Sequence, residues 1–178
     1  MSKKEQILQE AEKGVRTGGY NNVSFRDLAD AVGIKSASVH YHFPTKIDLG
    51  VALAERYTDN FMQTLGEPQD YQKSGADPFA AYVALFAHAL KVDKKMCLCG
   101  LLGAELDGLP DEVKKATKGF FERNLAWLSE AHKLKNGSND EQALTASIKL
   151  ISMLEGALLV SRTLNDPTVF DHALEGML

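Results

Sequence analysis

Apolar residues recur at steps of three and four along nearly all of the 178-residue chain, the spacing of one face of an α-helix. No stretch alternates apolar and polar residues for long, and β-branched runs are short. Ile7, Leu8, Ala11 and Val15 form a first stripe that closes before Gly18-Gly19. Phe25, Leu28, Ala29 and Val32 form a second, begun by Ser24 and stopped by Gly33. Ser24 with Asp27 fits the S-x-x-D start signal, in which the hydroxyl accepts an otherwise unpaired backbone N–H. A longer helix is expected from Thr45, through Leu49, Leu53, Tyr57 and Phe61, to about Gly66. "GEPQDYQKSGADP" reads as an irregular linker. Asp77-Pro78 then opens a helix through Phe79, Val83, Phe86 and Leu90, and Leu98 to Leu106 reads as a short apolar one. Two long helices, about Asp111–Lys135 and Asp140–Leu164, and a short one after Asp166-Pro167 complete the chain. The expected class is all-α: three short helices, then longer ones able to form a bundle.

With 44 % apolar residues the chain can bury a substantial core. Its net charge of −4 is unevenly spread. Up to Arg56 eight basic residues stand against seven acidic ones, and the remainder carries −5. A weakly acidic whole argues against non-specific coating of nucleic acid, but not against a small positive face at one end. No leader stands at Met1 and no apolar run approaches the ~20 residues of a membrane span, so a soluble, cytoplasmic protein is expected. Two cysteines, two residues apart, do not make a secreted disulfide framework. The chain carries no phosphate-binding glycine motif, nucleophile elbow or metal-ligand cluster, which speaks against an enzyme and against a cofactor.

"GIKSASVHYHFPTKIDL", from Gly33 to Leu49, is the most informative stretch. A His-x-His pair suggests a metal site, but on a helix an i,i+2 pair points about 200° apart, so His40 and His42 do not chelate together. Val39 and Phe43 form an i,i+4 apolar pair that faces inward, leaving Ala37, Ser38, His40 and Tyr41 outward with His42 on the flank. Pro44 ends the helix by disfavouring α geometry at Phe43. A helix, a Gly33 turn and a second short helix match a helix-turn-helix. The second helix presents small and hydrogen-bonding residues, which can approach base edges and phosphates.

On these residues the chain resembles the TetR family of transcriptional regulators. The likeness lies in Val23-Ser24, Ala29 to Ile34, Val39-His40-Tyr41-His42-Phe43, and Lys46 with Leu49, and covers about the first 55 residues. It implies a DNA-binding domain over 1–46 and a helical ligand-binding and dimerisation domain over 47–178, with 47–66 as the connecting helix. It places Lys35, Ser36, Ala37, Ser38, His40 and Tyr41 at the DNA edge, and Ser24, Arg26, His42, Thr45 and Lys46 at phosphates. Lys35 departs from the family's frequent capping Ser, exchanging a helix cap for a cation. His40 replaces a frequent Tyr. The resemblance further implies a homodimer on a palindromic double-stranded DNA operator, acting as a repressor. The last two long helices are the dimerisation candidates, with Gly156 allowing close approach. A small, mostly apolar or electrophilic effector would bind among Phe61, Tyr82, Phe86, His88, Leu102 and Trp127.

Cys97 and Cys99 admit two readings: small buried residues beside Gly100 and Gly103, or a thiol sensor whose pKa is lowered by Lys94 and Lys95. A helical adaptor that has lost DNA binding is the alternative to a regulator.

Overall fold

The computed structural model describes residues 1–176, and no strand occurs among them. The helices are α1 (Lys3–Gly18), α2 (Phe25–Val32), α3 (Ser36–His42), α4 (Lys46–Leu65), α5 (Pro68–Ser74), α6 (Pro78–Lys91), α7 (Leu98–Ala104), α8 (Asp111–Asn136), α9 (Asp140–Leu164) and α10 (Thr168–Ala173). Two 3-10 turns, Tyr20–Asn22 and Leu106–Gly108, stand between them. The all-α expectation and most helix boundaries hold.

The segment read as an irregular linker is a correction, because Pro68–Ser74 is helical. Its turn formers sit at the helix ends. Pro68 occupies the first turn, where its missing N–H costs nothing, and Gly75 closes the helix at φ 72°. A second correction concerns α9, which carries an 18-residue window of mean hydropathy 1.6 and is, by length and composition alone, apolar enough to cross a membrane. Its residues instead form a core stripe, with Ala143, Leu150, Ile151, Leu154, Ala157 and Leu158 buried.

The chain forms two compact units. The first comprises Met1–Asp59 and Leu98–Phe120. In its core Ile7, Ala11, Val39, Phe43 and Leu53 pack with Leu98, Leu102, Leu109 and Val113, so α7 and the start of α8 share the core of the N-terminal helices. Glu105 accepts the Tyr20 backbone N–H at 2.9 Å. Gly50 on α4 makes room for close packing: a Cβ there would lie 2.7 Å from the Tyr20 ring and 2.9 Å from Val113. Arg56 on α4 donates from Nε (2.9 Å) and Nη2 to Glu5 Oε1, and from Nη1 to Glu12 Oε2 at 2.8 Å. Glu12 also receives Arg16 at 3.2 Å. This partly buried network ties α4 to α1.

The second unit comprises Asn60–Cys97 and the chain from Phe121 on. There α6 packs on α9, and α10 folds back against α9. Asn139 caps α9 in a reciprocal box with Gln142. Lys91 bonds both oxygens of Asp171, at 2.6 and 2.8 Å.

Candidate nucleic-acid interface

The Ser24 hydroxyl accepts the Asp27 N–H at 3.2 Å and donates to the Asp27 carboxylate at 2.6 Å, fixing the start of α2. Gly33 ends it at φ 68° and ψ 44°, a left-handed conformation that side chains resist. Lys35 then stands at the N-cap of α3 without a side-chain hydrogen bond. At the other end Phe43 is extended at φ −137°, as the following Pro44 requires.

This framing buries Val39 and Phe43 and leaves Tyr41 83 % exposed. Lys35, Ser36, Ala37 and His40 are exposed beside Tyr41, while Ser38 and His42 are half-buried. The structure thus brings the sequence-predicted α3 residues onto one accessible face, with Ser24, Arg26 and Thr45 exposed on the neighbouring segments. The His40 ring lies edge-on to Phe25 at 4.7 Å, and its Nδ1 is 3.3 Å from the Pro44 carbonyl. A carbonyl only accepts, so Nδ1 carries the proton and Nε2 is the acceptor of the neutral ring.

Besides Ser24, two more predicted phosphate contacts already have intramolecular duties. Thr45 caps α4: its hydroxyl accepts the Asp48 N–H at 3.2 Å and donates to Asp48 Oδ2 at 2.7 Å, and that same oxygen accepts the Thr45 N–H at 2.9 Å. Lys46 reaches the Asn21 carbonyl at 3.3 Å and lies over the Tyr20 ring at 5.0 Å. Partial burial lowers its pKa. Sequence reasoning passed over Lys3 and Lys4. Lys3 reaches the Val32 carbonyl at 3.4 Å and Lys4 lies 5.7 Å from the Phe43 ring, so both cations sit beside the helix-turn-helix. Only the apolar stripe of α1 was legible, and it says nothing about where the helix's exposed end docks.

In the second unit Tyr82 gathers three of the other predicted effector residues. Its ring is 5.6 Å from Phe61, 5.6 Å from Phe86 and 5.9 Å from Trp127. Its hydroxyl donates to Asn124 Oδ1 at 2.7 Å, and burial raises its pKa well above the usual value. Trp127 Nε1 donates to the Gly66 carbonyl at 2.7 Å. His88 does not join them: it is exposed and lies 3.5 Å from Asp93. Leu102 belongs to the core of the first unit. Cys97 and Cys99 are both buried thiols. Among the described residues no group of three or more His, Cys, Asp or Glu could hold a metal ion.

A family model described as "Bacterial regulatory proteins, tetR family" matches residues 7–53, the segment that builds this face. A TetR transcriptional regulator from Legionella pneumophila has a solved structure with 34 % identity and a TM-score of 0.83, covering 97 % of this chain and 94 % of that one. The chain belongs to the TetR family. A TetR-family regulator from Agrobacterium tumefaciens is 25 % identical at a TM-score of 0.81, over 98 % of this chain and 95 % of that one. The transcriptional regulator AcuR of Cereibacter sphaeroides is 29 % identical over 110 residues, which span 58 % of this chain and only 49 % of AcuR. As a TetR-family member the protein is a DNA-binding transcriptional regulator and not an enzyme.

Proposed function

We propose that the protein is a repressor that binds a palindromic operator as a homodimer in the cytoplasm and leaves it when a small effector binds. The observation that carries the reading is the α3 face, where exposed Ser36, Ala37, His40 and Tyr41 stand on buried Val39 and Phe43. A rigid helix with small and polar outward residues suits the major groove, where each base pair presents a distinct donor and acceptor pattern. Arg26, Lys35, Lys3 and Lys4 supply cations for the flanking phosphates.

The homodimer is supported by α9. Leu144, Ile148, Leu159, Val160 and Leu164 are large, apolar and exposed, and Gly156 has nothing within 4 Å of the place its Cβ would occupy. Large apolar side chains exposed along one helix suit an interaction site, and a twofold interface would place them against their own copy.

The effector is a small molecule with a mostly apolar body or an electrophilic group. The Tyr82-centred rings support the apolar body. An electrophile would have Cys97 and Cys99 as targets, and their burial requires the fold to open first. Replacing both by serine separates a sensing role from simple packing, since an unchanged operator release by electrophiles leaves them as packing residues.

The reading is tested by mobility shift with DNA flanking the gene while salt is titrated. Binding should weaken steeply as salt rises, because phosphate contacts release counterions. Absence of binding to flanking DNA and to duplexes enriched from a random pool favours the adaptor.

A further inference from the structure

Neither DNA binding nor dimerisation explains the placement of Glu155, whose carboxyl oxygens are both buried. It stands on α9 between buried Leu154 and buried Leu158. Both its carboxyl oxygens are shut off from solvent, and no N–H or O–H donor among the described residues is within hydrogen-bond reach of either. The ionisable groups turned towards it are the Cys97 thiol, just before α7, and Tyr82 on α6. The Cys97 thiol hydrogen-bonds to the carboxyl but is a weak donor, and Tyr82 spends its hydroxyl proton on Asn124 at 2.7 Å. An ionised carboxylate in such a place is costly, and desolvation accordingly raises the pKa of Glu155 to about 7. Leu or Met would fill the same position without that cost.

The carboxyl also acts electrostatically on Tyr82, the centre of an aromatic cluster. Tyr82 carries Phe61, Phe86 and Trp127 around it at centroid distances of 5.6 to 5.9 Å. Ring faces carry the negative end of a quadrupole and attract cations. A carboxylate with only a weak thiol donor does the same more strongly and adds a demand for N–H groups. An anionic ligand would be repelled by the carboxylate and by the ring faces.

We propose that Glu155 and the Tyr82-centred rings form a binding site for an organic cation: a protonated amine on an apolar body. On entry the carboxyl releases its proton to solvent, and the ammonium N–H groups donate to the carboxylate oxygens, so positive charge replaces positive charge. The proposal rests on the reading of the second unit as the effector-binding part and names the class of effector.

Calorimetry on the full-length protein tests it, with phenethylamine as probe and 2-phenylethanol as its uncharged counterpart. The amine should bind at least about ten-fold more tightly than the alcohol. Its affinity should rise about ten-fold from pH 6 to pH 8, following the ionised fraction of an acid with a pKa of about 7. Proton release at pH 6 should appear as a dependence of the binding heat on the buffer. Glu155→Gln keeps the shape, and should lower amine affinity more than about ten-fold and remove the pH dependence while leaving the melting cooperative. Should that variant fail to fold, the buffer dependence of the wild-type protein decides alone. Equal binding of amine and alcohol, tighter amine binding at pH 6, or no binding of phenethylamine and of benzyltrimethylammonium would overturn the proposal. Operator binding measured on the same preparations keeps such a failure distinct from failure of the repressor reading.

Discussion

Tyr41 and Val39 are two residues apart on α3, one 83 % exposed and the other fully buried. That difference separates their roles. Tyr41→Ala should leave the melting temperature within about a degree, since exposed positions away from caps and cores are nearly neutral, and should cost about 1–3 kcal/mol of operator affinity if the ring contacts a base. Val39→Ala should do the reverse and lower stability by roughly 1–3 kcal/mol. Thermal melts beside mobility shifts check both. Glu155 gives a pH signature of stability. Its folded pKa, about 7, lies above the ordinary value of 4.5, so the folded state holds the proton that the unfolded state has lost. Its contribution is best below about pH 4.5 and is lost as pH rises to about 7, a change on the order of 3 kcal/mol. Glu155→Gln should therefore flatten the wild-type fall in stability over that window and be the more stable protein at pH 8, as denaturant titration at several pH values would show. An equal fall in the variant would place the cause elsewhere.

At the scale of elements, helix ends explain both what the sequence disclosed and what it hid. Ser24, Gly33 and Pro44 bound α2 and α3 as their chemistry dictates, so the helix-turn-helix was legible residue by residue. The same kinds of residue misled at "GEPQDYQKSGADP", where Pro68 and Gly75 are the two ends of a seven-residue helix and not the body of a loop. The second role of Thr45 as a cap was hidden because a resemblance assigns contacts without accounting for the backbone groups each hydroxyl must also satisfy. Lys35 tests the balance directly. Lys35→Ser supplies the missing cap and should raise stability by about 0.5–1 kcal/mol, while reducing the salt slope of operator binding by about one if the lysine meets a phosphate. An unchanged slope would leave Lys35 as a solvated charge. Arg56 joins two elements. Its guanidinium holds Glu5 and Glu12 of α1, so Arg56→Met should cost about 3 kcal/mol by leaving partly buried carboxylates without their partner. A loss under about 1 kcal/mol in denaturant titration would mean that solvent screens the network.

For the whole molecule, the helical period foretold the fold class and the helix order. Leu98, Leu102, Leu109 and Val113 read as one more apolar stripe, and only the structure shows them in the core of the N-terminal helices. The aromatic gathering around Tyr82 is partly legible, because Phe61, Phe86 and Trp127 belong to the same set of predicted effector residues, whereas His88 is exposed and Leu102 lies in the core of the first unit. Glu155 was invisible, since a single acid in an apolar helix has no pattern. The apolar face of α9 bears on assembly: Ile148→Asp with Leu159→Asp should convert a dimer to a monomer in sedimentation without loss of helix content, and should weaken operator binding by removing one of two half-site contacts. The central claim is that the α3 face reads DNA sequence. Selection of duplexes from a randomised pool by the wild-type protein and by Tyr41→Ala, followed by salt-titrated binding of the enriched DNA, tests it most directly. Wild-type protein should enrich a motif with two inverted half-sites and bind it with a steep salt dependence, and the variant should enrich weakly or differently. The same motif recovered at the same affinity by both proteins, or none by either, would contradict it.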